Sequence, residues 1–246
     1  MRTDEKLRAL HENGYCVLKA HFARNIIDAC RHAFWPILLT YLKDHGHEPN
    51  RGPHRHFVAM PFETPCYAPA FFFDSTLLQM LRETMDDHIV ADQWGCDTPL
   101  SGSTYQKFHA DYQCPLFPEA PDLALPTYTL VVSFGLVDIN EDNGPIEIAP
   151  GTHRIPRARA IRLLEAGELQ SNTVPLKIGD VLIRHPWTLH RGTPNTTDVP
   201  RAMVTVRYVR RWYADASREV NEIPSALWKG LTREQQELMR FPIEAS

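Results

Sequence analysis

From about residue 88 to residue 211 the chain is written as short runs of β-branched and aromatic residues, each closed by turn residues. Few architectures accept that texture. Candidate strands are 103–109, 127–137, 145–149, 173–177, 181–184 and 202–211. Asn143-Gly144 is a hairpin signal, because both residue types tolerate the positive φ of a tight turn. Gly179-Asp180 marks a further turn. Many short strands with helices gathered at one end predict a mainly β protein with flanking helices, a sandwich or jelly roll.

The helical signals lie in the first third. Leu7, Leu10 and His11 precede Gly14, a helix stop. Tyr15-Cys16-Val17-Leu18 reads as a short strand. From Ala23 to Asp44, residues such as Ile27, Cys30, Phe34 and Leu38 recur at helical spacing, with Pro36 expected to kink the helix. Residues 46–73 carry prolines at 49, 53, 61, 65 and 69 and read as loop. Ser75 is expected to cap an amphipathic helix bearing Leu77, Leu78, Leu81 and Met85. Residues 112–126 are a proline-rich excursion, and Thr232 with Gln235 forms a capping box that predicts a last short helix. No repeat or linker divides the chain. The expectation is one domain over 1–246: helical support to about 88, a jelly-roll core over about 89–212, and a tail over 213–246.

The charge balance narrows the function. A net charge of −4 with no basic tract argues against nucleic acid and anionic membranes as partners. The longest apolar run, 130–137, is far too short to span a bilayer. The first residues are charged, and no apolar stretch of signal-peptide type follows them. The five cysteines form no C-x-x-C pair, which suits reduced structural thiols in a cytoplasmic protein.

His109-Ala110-Asp111 is the chain's only His-x-Asp or His-x-Glu. Composition alone predicts roughly 1.5 such tripeptides, so the pair by itself is equally a polar strand end. Its place matters more. It closes the β-type run from Thr104 to Phe108, and side chains two apart on a strand share a face. Imidazole and carboxylate can then converge on one ion, with His190, at the end of the 179–190 run, as the third ligand. Two histidines and a carboxylate on one face of an octahedron leave three positions open, the arrangement of non-haem Fe(II) oxygenases. Arg201 follows at the start of the next strand. A cosubstrate such as 2-oxoglutarate chelates iron at one end and needs a permanently charged bidentate partner for its far carboxylate, which guanidinium supplies.

These pieces resemble the phytanoyl-CoA dioxygenase family of 2-oxoglutarate oxygenases. The matching segments are Tyr105 through Asp111, Asn143-Gly144-Pro145 through Pro150-Gly151-Thr152-His153, Gly179-Asp180-Val181-Leu182, His185 through Gly192, and Asn195 through Arg201. With Asn13-Gly14-Tyr15 at the start, the likeness runs over about residues 5–212. It implies a double-stranded β-helix, with Fe(II) held by His109, Asp111 and His190. It also implies 2-oxoglutarate held by Arg201, and O₂ as the oxidant. Because Asp111 is present, it implies hydroxylation or a related oxidation of an unactivated C–H bond rather than halogenation. The substrate expected is a small organic molecule, a secondary metabolite. Where relatives often place an aromatic residue, this chain has Ser133. Thr129 and Gln106 are candidates for further cosubstrate contacts, and Tyr112 and Phe117 for substrate contacts on the loop that leaves Asp111.

Other readings stay open on the residues alone. A triad with an open water position also serves a metal-dependent hydrolase or isomerase on the same jelly roll. A non-catalytic ligand-binding protein is a third reading. His54 with His56 has chelate spacing but no acidic neighbour, and His185 competes with His190. His153 reads as structural. Arg191 neighbours the ligand but should face away from it. Arg207, Arg210 and Arg211, near the end of the last strand, are expected to face solvent.

Overall fold

The computed structural model describes residues 3–112, 116–117, 125–213 and 220–245. Cys114 and most of the proline-rich excursion fall outside them.

Helix α1 (Thr3–Asn13) stops at Gly14, whose φ of +77° favours glycine and whose N–H closes the last turn on the Leu10 carbonyl at 3.0 Å. A Cβ there would lie 2.1 Å from Thr188 Oγ1, so only glycine lets the chain pass this close to the 185–188 loop. Strand β1 (Tyr15–Leu18) follows, then α2 (Arg24–His45), which runs through Pro36 without interruption. Next come β2 (Arg55–Ala59), α3 (Ala70–Phe73), α4 (Ser75–Thr84), β3 (Ile89–Pro99) and β4 (Thr129–Gly135). After these lie β5 (Ile146–Ile148), α5 (Arg157–Glu165), β6 (Asn172–Val174), β7 (Val181–Arg184) and β8 (His190–Gly192). The described elements end with β9 (Met203–Arg210), α6 (Ser225–Gly230) and α7 (Arg233–Leu238).

The strands form two antiparallel sheets. The larger has six strands in the order β1-β7-β4-β9-β3-β2, and the smaller has three in the order β6-β5-β8. This is a jelly roll with α1 to α4 packed against the larger sheet and α5 beside the smaller one.

Period-two alternation sorts the larger sheet into two faces. Leu130, Val132 and Phe134 of β4, Val204 and Val206 of β9, and Trp94 and Cys96 of β3 join the main core. There they meet Ile27, Phe34 and Leu38 of α2 and Leu77 and Leu81 of α4. The Phe71 ring of α3 lies 4.7 Å from the Phe134 ring. The other face is turned to the smaller sheet. There Leu182 and Met203 pack with Ile146, Ile148 and Val174, while Gln93, Val131, Ser133, Thr205 and Arg207 line a cavity.

Several expectations need correction. The 46–73 region is not all loop: β2 and α3 lie in it, and β2 pairs with β3, which no candidate strand covered. The 103–109 run stays extended but makes only an isolated bridge at His109. The Gln106 carboxamide explains this, since its Oε1 takes the Gly192 N–H at 2.9 Å that a neighbouring backbone would otherwise accept. Asn143-Gly144 is no hairpin between paired strands, because β4 and β5 belong to different sheets. Instead Asn143 braces the crossing: its Oδ1 accepts from Asn140 N–H at 2.9 Å and its Nδ2 donates to the Asp138 carbonyl at 2.7 Å.

The cap of α4 is Asp74 rather than Ser75, its Oδ1 accepting from Leu77 N–H at 2.8 Å. Asp74→Ala is therefore expected to lower unfolding free energy by about 1 kcal/mol. Urea denaturation checks this, and an unchanged midpoint would remove the cap from the account. The capping box at Thr232 and Gln235 is formed as the sequence predicts.

Candidate metal centre

His190 opens β8, and His109 sits directly opposite on the extended segment alongside. The two residues exchange both backbone hydrogen bonds, at 3.0 and 2.9 Å. Residues opposed in this way project side chains to the same face, and the two imidazole centroids are 4.5 Å apart. The Nδ1 of His109 lies 2.9 Å from the Lys107 carbonyl, and that of His190 lies 2.9 Å from the Thr188 carbonyl. Each Nδ1 therefore carries the proton, and each Nε2 keeps its lone pair for an ion. Burial first, and then the neighbouring Arg184, hold His190 below the usual imidazole range, against the pull of Asp111. Neutral imidazole is the ligating form.

Two residues past His109 the chain has turned, with Asp111 N–H bonded to the Pro186 carbonyl at 3.0 Å. Asp111 Oδ1 comes within 3.4 Å of His190 Nε2. One donor atom from each of His109, Asp111 and His190 lies within 4.8 Å of the others. Desolvation would raise the Asp111 carboxyl, but the Arg184 guanidinium, with His190 adding to it, holds it well below the usual carboxylate range. The set is two neutral nitrogens and one carboxylate oxygen, which suits a divalent transition metal.

Beside the triad lies a cavity of about 300 Å³. Arg201 lines it, 1% exposed, with Nε and Nη1 unpartnered. Only Nη2 approaches an acid, Asp97 Oδ2 at 3.6 Å. Buried guanidinium N–H groups without acceptors are costly, and a carboxylate arriving there would satisfy them. The residues present thus fit both a metal ion and an anionic chelator.

The remaining sequence candidates fall as follows. Gln106 and Tyr112 line the cavity. Gln106 is engaged at both ends, its Nε2 donating to the Arg51 carbonyl at 3.0 Å. The Tyr112 hydroxyl lies 3.3 Å from Thr129 Oγ1 and 3.1 Å from Arg207 Nη1. Thr129 is fully buried behind Tyr112 and is not among the lining residues. Phe117 is 47% exposed and is not among them either. His185 is half-buried against His153, ring centroids 5.1 Å apart. Arg191 turns outward to Glu147, with Nε to Oε2 at 2.6 Å. His56 is buried in β2 while His54 is exposed.

Two arginines were not anticipated. Arg207 is not solvent-facing: it is 2% exposed, lines the cavity and donates from Nε to Asp92 Oδ1 at 2.7 Å. Arg184 lines the cavity too, its Nη2 donating to Asp111 Oδ2 at 2.9 Å. Its one sequence signal is a charge ending the otherwise apolar strand Val181-Leu182-Ile183.

Residues 10–203 match the family model described as phytanoyl-CoA dioxygenase (PhyH). The chain belongs to the phytanoyl-CoA dioxygenase family. Solved structures share this family member's fold at low identity. SnoK, a non-heme alpha ketoglutarate dependent carbocyclase from nogalamycin biosynthesis, matches at 19% identity and a TM-score of 0.63. That match covers 98% of this chain and 93% of SnoK. SnoN, a non-heme alpha ketoglutarate dependent epimerase from the same biosynthesis, matches at 17% and 0.61, covering 84% and 82%. HygX from Streptomyces hygroscopicus, solved with nickel and 2-oxoglutarate bound, matches at 16% and 0.61, covering 85% and 88%. Among the described residues no helix is long and apolar enough to cross a membrane.

Proposed function

We propose that this member of the phytanoyl-CoA dioxygenase family is an Fe(II)- and 2-oxoglutarate-dependent oxygenase that hydroxylates an unactivated C–H bond of a small organic molecule. The observation that carries the reading is the pairing of a His-Asp-His donor set with a buried, under-satisfied guanidinium in one cavity. A hydrolase has no evident use for that guanidinium. HygX supports the reading, since its structure holds both a metal and 2-oxoglutarate.

In this reading His109, Asp111 and His190 hold Fe(II), and Arg201 anchors the far carboxylate of 2-oxoglutarate. When bound, iron and cosubstrate supply the oxidation: R–H, 2-oxoglutarate and O₂ become R–OH, succinate and CO₂. The protein's own share is placement. The Lys107 and Thr188 carbonyls orient the two imidazoles. Tyr112, steadied by Arg207 and Thr129, forms the wall next to Asp111 against which the substrate is positioned. The two packed sheets keep bulk water from the far end of the cavity. We place the substrate among secondary metabolites, as the roles of SnoK and SnoN in nogalamycin biosynthesis suggest, and the enzyme in the cytoplasm.

Incubation with Fe(II), 2-oxoglutarate and a panel of metabolites tests this. Succinate is expected in step with O₂ uptake, abolished by EDTA and restored by Fe(II), with a product heavier by one oxygen atom. Hydrolysis without 2-oxoglutarate consumption would instead establish the metal-dependent hydrolase reading. Because SnoN is an epimerase and SnoK a carbocyclase, a product of unchanged mass, or one lighter by two hydrogens, would replace hydroxylation while leaving the cosubstrate assignment intact.

A further inference from the structure

The inner face of the larger sheet is apolar along Leu182 and Met203, and the alternation of β7 puts Arg184 on that same face. A guanidinium buried at 7% exposure needs a compensating charge. Among the described residues Arg184 forms one ion pair, with Asp111. This contact crosses the gap between the sheets, from β7 to the residue two past His109. Arg184 Nη1 also lies 3.2 Å from His190 Nδ1. That nitrogen already donates to the Thr188 carbonyl, so it has no lone pair left for Arg184, and the guanidinium's one strong acceptor is Asp111 Oδ2.

The two oxygens of Asp111 are thereby made unequal. Oδ2 is held by Arg184, and Oδ1 is the one turned toward His190 Nε2. A carboxylate with both oxygens free can chelate an ion through the pair and take an extra coordination position. One whose outer oxygen is held by a buried guanidinium offers a single atom. We propose that Arg184 is a positioning residue that restricts Asp111 to one-oxygen ligation, keeping three adjacent positions open on the metal. This rests on the oxygenase reading for the metal site and adds a residue to it. Arg184 touches neither substrate nor cosubstrate in this role. It acts through Asp111.

Cobalt(II) is the probe, because its visible absorption reports coordination number and geometry in the absence of turnover. Apo-protein titrated with Co(II) should bind at the triad, with binding weakened by about two to three decades in His109→Ala. Arg184→Gln is expected to bind about 10–100-fold more weakly, with an altered d–d spectrum. Arg184→Lys, which keeps a charge but not the planar fork, should recover part of both. A contribution of Arg184 to packing alone would shift the melting temperature and leave the spectrum unmoved. Wild-type affinity and spectrum in Arg184→Gln would overturn the proposal while leaving the metal site standing. No Co(II) binding by the wild-type protein would overturn the metal site and this role with it. Should Arg184→Gln not fold, a crystal structure of the wild-type Co(II) protein decides. Asp111 Oδ1 on the metal with Oδ2 on Arg184 supports the proposal, and two-oxygen ligation, or Arg184 turned away, contradicts it.

Discussion

Arg201→Ala is expected to lower the affinity of the metal-loaded protein for 2-oxoglutarate by about two to four decades. The substitution leaves the incoming carboxylate buried without its partner, a cost of about 3–5 kcal/mol. The ligand-free protein should respond differently. Its Arg201 already carries unpartnered Nε and Nη1 atoms and a single ion contact of 3.6 Å, and burial depresses the guanidinium while Asp97 only partly offsets it. Removing so poorly compensated a charge should therefore leave the melting temperature of the ligand-free protein nearly unchanged. Anaerobic calorimetry with the Fe(II) protein, beside thermal melts, separates the two effects. Wild-type affinity in the variant would remove Arg201 from the cosubstrate site. Arg201→Lys should fall between, because ammonium keeps the charge but not the two parallel donors.

His109→Ala is expected to weaken metal binding by about two to three decades. Four-ligand zinc sites gain about 10–16 kcal/mol, so one ligand is worth roughly a quarter of that. Folding should be little affected, since the ring is half-buried and its hydrogen bond among the described residues is a local one, to the Lys107 carbonyl. Asp111→Ala contrasts with it: metal affinity falls and stability falls too, because Arg184 is left buried without its acid. Metal titrations followed by urea denaturation of the apo-proteins distinguish the two variants. Full metal affinity in His109→Ala would dissolve the triad.

The triad was legible because two of its members are two apart in sequence at the end of a β-type run, close enough to share an ion even though the chain turns at Asp111. The third follows a strand whose turn signals are clear, at the end of the 179–190 run, and in the structure it opens β8. Arg201 was legible as a charge at the start of an apolar strand. What escaped depends on partners far along the chain. Arg207 looked exposed because its acid, Asp92, is 115 residues away on a strand hidden by the preceding prolines. Arg184 was missed for the same reason: its acid is 73 residues distant, and its one local signal, a charge ending an apolar strand, names no partner. Strand β2 was lost among the prolines of 46–73, which punctuate the segment without preventing an edge strand. The 103–109 run misled in the opposite sense. Its residues favour strand, but Gln106 spends its side chain where a ladder would have formed. Asn143-Gly144 turns the chain as its residue types require, yet which strands it joins is settled by sheet packing rather than by the turn.

The most direct test is a crystal structure grown without oxygen in the presence of Fe(II) and 2-oxoglutarate, read by anomalous scattering at the iron edge. The expected result is a single iron peak bonded to His109 Nε2, Asp111 Oδ1 and His190 Nε2, with the chelating end of 2-oxoglutarate on the ion and its far carboxylate on Arg201. Iron bound elsewhere, or 2-oxoglutarate lying away from Arg201, would contradict the account.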